Sequence, residues 1–169
     1  MKNFILFIMC VLFAQCNILW ECDDVLPKAV PFTGNQLKIN GYYYESISNN
    51  KAFSPMILYG NGVTIKIDDV AYNIEEMDEY IRKKYVNGSR YKKNKYIWGV
   101  FFVEDRSIRV HRLIEDYPHR ENIWEGIILN DTTFQFTKYT SGNNVSERNE
   151  IYHYREFSPK PDSTNKYIK

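Results

Sequence analysis

From residue 37 onward the chain is written in short apolar runs separated by turn residues. Leu37–Glu45 alternates at its start and predicts a first strand. Met56–Gly60 and Val63–Ile67 flank Asn61-Gly62, a pair that tolerates positive φ and predicts a hairpin with a type I′ turn. In the second of these runs Val63, Ile65 and Ile67 share one face, and Thr64 and Lys66 share the other. Tyr96–Val103 is apolar on both faces, the pattern of a strand covered on both sides. Glu104–Ser107 turns it back into Ile108–Ile114. After a loop with Pro118, Ile123–Leu129 and Thr132–Lys138 form another hairpin across Asn130-Asp131. Residues 141–149 read as a polar loop, and Glu150–Phe157 as the last strand, ended by Pro159 and Pro161.

Residues 70–86 change period. Ile74, Met77, Ile81 and Tyr85 recur at spacings of three and four, which predicts a helix with its apolar side on the domain. Asn73 can cap its start, Glu75 and Glu76 complement the N-terminal dipole, and Arg82, Lys83 and Lys84 suit the other end before Asn87-Gly88 stops it. About eight strands joined mostly by short hairpins pair antiparallel. The fold class expected is all-β with one helix. An up-and-down β-barrel of about eight strands leaves no exposed edges, and a two-sheet sandwich is the alternative with the same strand count.

The chain begins differently. Lys2 precedes Phe4–Ala14, an apolar run without charge, which describes a secretory signal peptide over residues 1–15. The run is shorter than the ~20 residues a transmembrane helix needs. Leu12-Phe13-Ala14-Gln15-Cys16 resembles a bacterial lipobox, with Gln15 in place of the usual small residue before the cysteine. That resemblance implies lipid attachment at Cys16 and anchoring to the cell envelope, since a diacylated cysteine carries two chains. An ordinary signal peptide cut near Ala14 is the alternative. Cys10 lies inside the signal; Cys22 is then left single, or bridges Cys16 if neither is acylated. Residues 16–36, with two prolines and no period, read as a tether, residues 37–158 as the β domain and residues 159–169 as a polar tail.

Composition adds little direction. The chain has 14 Tyr, 10 Phe and 3 Trp, which favour pleated, half-buried surfaces. Its 22 Lys+Arg nearly cancel its 21 Asp+Glu, and loss of residues 1–15 removes only Lys2, so charge balance argues against a nucleic-acid partner. Arg90, Lys92, Lys93 and Lys95 form a basic run that is either a solvated loop or an anion-binding segment. His111, His119 and His153 are scattered without ligand spacing, so no metal is expected. Nucleophile elbows, P-loops and dinucleotide fingerprints are missing from the sequence, and neither a cofactor nor catalysis is expected.

Three strand residues carry the binding candidates. Arg112 shares a face with Ile108, Val110 and Ile114, and His153 and Arg155 share a face with Ile151 and Phe157. If those apolar faces point inward, the three polar groups enter the interior and can hold an acidic ligand. If Tyr152 and Tyr154 face inward instead, the charges of the last strand face water.

The segments N-G-Y-Y-Y (40–44), L-Y-G-N-G (58–62), W-G (98–99), W-E-G-I-I-L-N-D-T-T-F (124–134) and K-P-D-S-T-N (160–165) together resemble small uncharacterised lipoproteins of Bacteroidetes-type bacteria. The resemblance implies an envelope location and a lipocalin-like barrel, and it transfers no functional residue. The functional expectation is an exported envelope lipoprotein that binds a small apolar or acidic ligand in its barrel. A protein-interaction or structural module with a filled core is the alternative.

Overall fold

Hairpin after hairpin makes each strand the neighbour of the one before it, and the chain carries this rule around a closed ring. The computed structural model describes residues 26–47, 51–68, 71–115 and 121–168. Its strands are β1 (Gly41–Ile47), β2 (Lys51–Leu58), β3 (Val63–Lys66), β4 (Ala71–Asn73), β5 (Trp98–Glu104), β6 (Ser107–Leu113), β7 (Glu121–Asn130), β8 (Thr133–Ser141) and β9 (Asn144–Glu156). One helix, α1 (Ile74–Ile81), lies between β4 and β5 and runs on into a π turn at Arg82–Val86. All pairings are antiparallel, in the order β1-β9-β8-β7-β6-β5-β3-β2, and β1 also pairs with β2. The protein is therefore a closed eight-stranded β-barrel, not a sandwich. β4 stands outside the ring count and continues along β2 where β3 leaves off.

The interior is built from alternate residues. Tyr43, Met56, Leu58, Phe101, Ile108, Val110, Phe134, Phe136 and Tyr152 form one buried cluster. Phe134 stacks on Tyr152 with ring centroids 5.1 Å apart and planes 8° apart, and Phe136 meets both rings edge-on. Such pairs add about 0.5–1.5 kcal/mol each beyond the area they bury.

A second cluster lies on the outside of the barrel. Tyr42, Ile57, Tyr59, Val63, Ile65, Ile67 and Trp98 point outward, and Met77, Ile81, Tyr85 and Tyr91 cover them. α1 starts with the cap that the sequence predicts. Asn73 accepts from the Glu76 backbone N–H, and the Glu76 carboxylate accepts from the Asn73 N–H, a capping box. Asp78 fastens the helix to the barrel: it accepts from the Tyr42 hydroxyl at 2.8 Å and pairs with Arg155 at 2.6 Å. Because helix and strands cover each other here, β3 is buried on both faces.

Three local expectations are corrected. The β2–β3 turn is not type I′: Gly62, and not Asn61, has positive φ (82°), and Gly62 N–H donates to Tyr59 O. A tight turn followed by a left-handed glycine gives the same chain reversal. A Cβ at position 62 would also lie 2.1 Å from Val30 O, so the crossing N-terminal segment requires glycine there. The helix expected over 70–86 gives up its first residues to β4. Residues 141–149 are the tip of the β8–β9 hairpin; Asn144–Asn149 are exposed throughout, so no alternation marks them. The basic run 89–95 folds into short 3₁₀ turns around buried Tyr91, and Lys92 pairs with Asp162.

Packing also extends past residues 37–158 on both sides. Phe32 donates its N–H to Gly60 O and packs on the interior cluster, while Tyr59 and Tyr91 donate their hydroxyls to Pro161 O and Asp162 O. Lys160 reaches under this C-terminal strap and donates to Ile39 O (2.5 Å) and Leu58 O (2.6 Å), over the Tyr59 ring. Burial lowers its ammonium to about 8.

Two outcomes follow for stability. Phe134→Ala removes the centre of the aromatic stack and is expected to cost about 3–5 kcal/mol, read from denaturant midpoints. A cost under about 1 kcal/mol would mean the stack is not cohesive. The second concerns pH. Folded Lys160 loses its proton near 8, whereas an unfolded lysine holds it to about 10.4. Between these values the unfolded chain binds more protons, so stability rises with pH. Above about pH 10 the trend reverses: unfolded tyrosines ionise there, while burial raises the folded-state pKa of Tyr42, Tyr43, Tyr59 and Tyr85. Melting temperatures across this range should show the rise, and Lys160→Met should flatten it; an unchanged slope in the variant would assign the effect elsewhere.

Candidate functional site

At one end of the barrel the inward-facing positions change from aromatic to charged. Glu45 of β1, Ser54 of β2, Lys66 of β3, Arg112 of β6 and Glu150 of β9 line a cavity of about 240 Å³, with Trp124 and Tyr139 as its aromatic wall. The rim is open: the Asp68 and Arg148 side chains keep 45% and 41% of their accessibility.

Period-two geometry explains how Lys66 arrives there. Val63, Ile65 and Ile67 are drawn outward beneath the helical layer, so Thr64 and Lys66 must turn inward. Thr64 satisfies its hydroxyl on Ile57 O at 3.0 Å. Lys66 is 5% exposed and donates to the Tyr152 hydroxyl at 2.9 Å, with the Trp124 and Tyr152 rings 5.1 and 5.4 Å from its ammonium. Among the described residues no carboxylate forms an ion pair with it.

Arg112 is 3% exposed. Its guanidinium pairs with Asp68 at 2.7 Å and also donates to Lys66 O at 3.3 Å. It lies 5.3 Å from the Trp124 ring, on the same indole that Lys66 approaches. Its Nε–H is buried without a partner among the described residues. Gly99 stands opposite Arg112 across β5 and β6, and a Cβ there would lie 3.4 Å from Arg112 Cβ and 2.5 Å from His111 O. Glycine in the Trp98-Gly99 pair thus lets β5 pass close to the His111 backbone of β6. On the rim, Arg148 lies over Tyr139 and 3.7 Å from Glu150. Tyr139 donates to Asn122 at 2.5 Å. The Glu45 carboxyl is pushed up by burial and then by the charge of Glu150, against the opposing pull of Lys66 and Arg148.

The structure does not bring the three residues singled out in the sequence together. Arg112 faces the interior, as its apolar companions on β6 imply. On β9 it is Tyr152 and Tyr154 that join the interior cluster. His153 is half-buried on the outer face beside Tyr44, and Arg155 is held by Asp78 of α1. Phe157 belongs to the outer cluster and half-buried Ile151 shares its side of the strand, so neither marks a face that points into the barrel. Cys16, the lipid-attachment candidate, lies outside the described residues, as does His119.

Lys66, Trp124, Tyr139, Glu45, Arg148 and Glu150 were missed as site residues. The available signal was Lys66 itself, a charge in a short strand whose opposite face is wholly apolar. His111 Nδ1 lies 2.7 Å from Glu121 Oε1 on the outer face, with Phe102 edge-on to the imidazole. Among the described residues no group of three or more His, Cys, Asp or Glu is placed to hold a metal ion, and no helix is long and apolar enough to cross a membrane. No protein-family model, curated protein or solved structure matches this chain.

A buried ammonium without a counter-ion costs stability that a methionine of similar length does not. Lys66→Met is therefore expected to leave the ligand-free protein as stable as before, or more stable by up to about 2 kcal/mol in chemical denaturation. A clear loss would make Lys66 a structural tie and not a group held ready for a ligand.

Proposed function

We propose that the protein is a small-ligand-binding barrel whose ligand presents an acidic group to Lys66 and Arg112. The observation that carries this reading is the pair of buried cations on one indole, with Lys66 lacking a carboxylate partner among the described residues, at the mouth of a solvent-reachable cavity. Charge-assisted hydrogen bonds in such a place are about twice as strong as neutral ones. An acidic ligand fits these walls better than an apolar one, because the apolar part of the interior is already filled by Tyr43, Phe134, Phe136 and Tyr152. That same filling supports the second reading, an interaction or structural module. Native mass spectrometry of gently purified protein separates the two. A co-purifying small acid, lost in Lys66→Met, is the expected result. Wild-type protein that carries none, and takes up neither carboxylates nor phosphate, favours the module.

The reading includes export and anchoring through Cys16, in an envelope lipoprotein of the Bacteroidetes type. Its support is the order of charge, apolar run and cysteine over residues 2–16. Palmitate labelling in the native host should be lost in Cys16→Ala. Labelling that survives the substitution, or a mature mass beginning elsewhere, would exclude this site.

A further inference from the structure

We propose that the barrel-end cavity takes an amphoteric ligand of amino-acid size, its acidic group on Lys66 and Arg112 and its ammonium on Glu45 and Glu150. This rests on the acid-binding reading above and narrows it to one ligand class.

The charges lining the cavity are three cations, Lys66, Arg112 and Arg148, and three carboxylates, Glu45, Asp68 and Glu150. Arg112 and Asp68 satisfy each other at 2.7 Å, and Arg148 lies loosely at 3.7 Å from Glu150. Among the described residues Lys66 and Glu45 form no ion pair, with each other or with any third group. One charge of each sign therefore lines the same space without a contact partner, although Lys66 and Arg148 attract Glu45 from farther off. Lys66 is restrained on its own side by the Tyr152 hydroxyl and by the two rings it approaches.

A simple anion would complete Lys66 and leave the carboxylate side worse off. It would bring a further negative charge near Glu45, whose carboxyl is already pushed up by burial and by Glu150. A ligand with both charges completes both walls and leaves the lined space neutral, as it is without ligand. Desolvated charges are tolerated when each finds a partner, and a missing partner on either wall is costly. Size sets the other limit. About 240 Å³ corresponds to roughly eight water molecules, below the range of about 300–1,000 Å³ typical of drug-sized ligands. That space suits a short carbon chain lying along Trp124 and Tyr139, and is too small for an acyl lipid.

The test is isothermal titration of the whole domain with two matched series. One holds β-alanine, γ-aminobutyrate and ε-aminocaproate; the other holds propionate, butyrate and caproate, with inorganic phosphate as a plain anion. The best amino acid is expected to bind at least about tenfold more tightly than the acid of the same chain length. Glu45→Gln, which keeps shape and folding, should abolish that preference while leaving the affinity for the plain acid unchanged or improved. Lys66→Met should weaken both series. Equal binding of the two series by the wild type would overturn the amphoteric reading and leave the acid site standing. Failure of both series and of phosphate would overturn the two together. A preference that survives in both Glu45→Gln and Glu150→Gln would also contradict the assignment of the ammonium to this wall.

Discussion

Tyr152 divides the interior of this barrel. Its ring lies flat on Phe134 and belongs to the aromatic packing that fills one end, and its hydroxyl accepts the hydrogen bond of Lys66, where the charged end begins. A small eight-stranded barrel has room for side chains or for one small ligand. Here a single residue ends the first condition and starts the second. The stack gives the ring its position, and the ring gives Lys66 both a hydrogen-bond acceptor and a π-face. Arg112 approaches the same indole from the neighbouring strand, so Trp124 completes on one side what Tyr152 begins on the other.

An interior with buried cations is affordable only because apolar burial is supplied elsewhere. The helical segment after β4 covers the outward faces of β1, β2, β3 and β5, and this outer layer holds a second core as extensive as the first. β3 is the hinge of the arrangement. Its isoleucines and valine go to the outer layer, and the period of two then sends Lys66 into the barrel. Asp78 links helix to wall through Tyr42 and Arg155, and the C-terminal strap closes over Tyr59 and Tyr91.

The barrel itself could be read from the sequence because hairpin signals and one-sided alternation recur at short intervals. The helix could be read from its cap and its period. What escaped has a common physical cause: direction. Alternation says which residues share a face, and it does not say whether that face points to the interior or to a second layer outside. For β6 the apolar face is interior, so Arg112 could be placed from its neighbours. For β3 the aliphatic residues face the outer layer and Lys66 faces inward; on β9 the tyrosines face inward, so His153 and Arg155 lie on the other side of the wall from Arg112. The β8–β9 tip escaped for a different reason. With both faces in water it has no pattern to show, and only Gly142, at a φ of 57°, marks its turn. The charged cavity depends on contacts between β1, β3, β6 and β9, residues distant in sequence, and no local motif encodes that meeting.

The two-part interior makes a direct spectroscopic comparison available within one molecule. Trp124 stands on the cavity wall with Lys66 and Arg112 5.1 and 5.3 Å from its ring, whereas Trp98 is fully buried in the outer layer beneath the helical segment. Their indole N–H signals can be followed separately in a ¹⁵N–¹H correlation spectrum while a short carboxylate such as propionate is added. The account predicts a saturable shift of the Trp124 signal with the Trp98 signal unmoved, and loss of that shift in Lys66→Met. A Trp124 signal that stays still, or one that moves together with Trp98, would contradict the claim that the charged end of the barrel is a binding site.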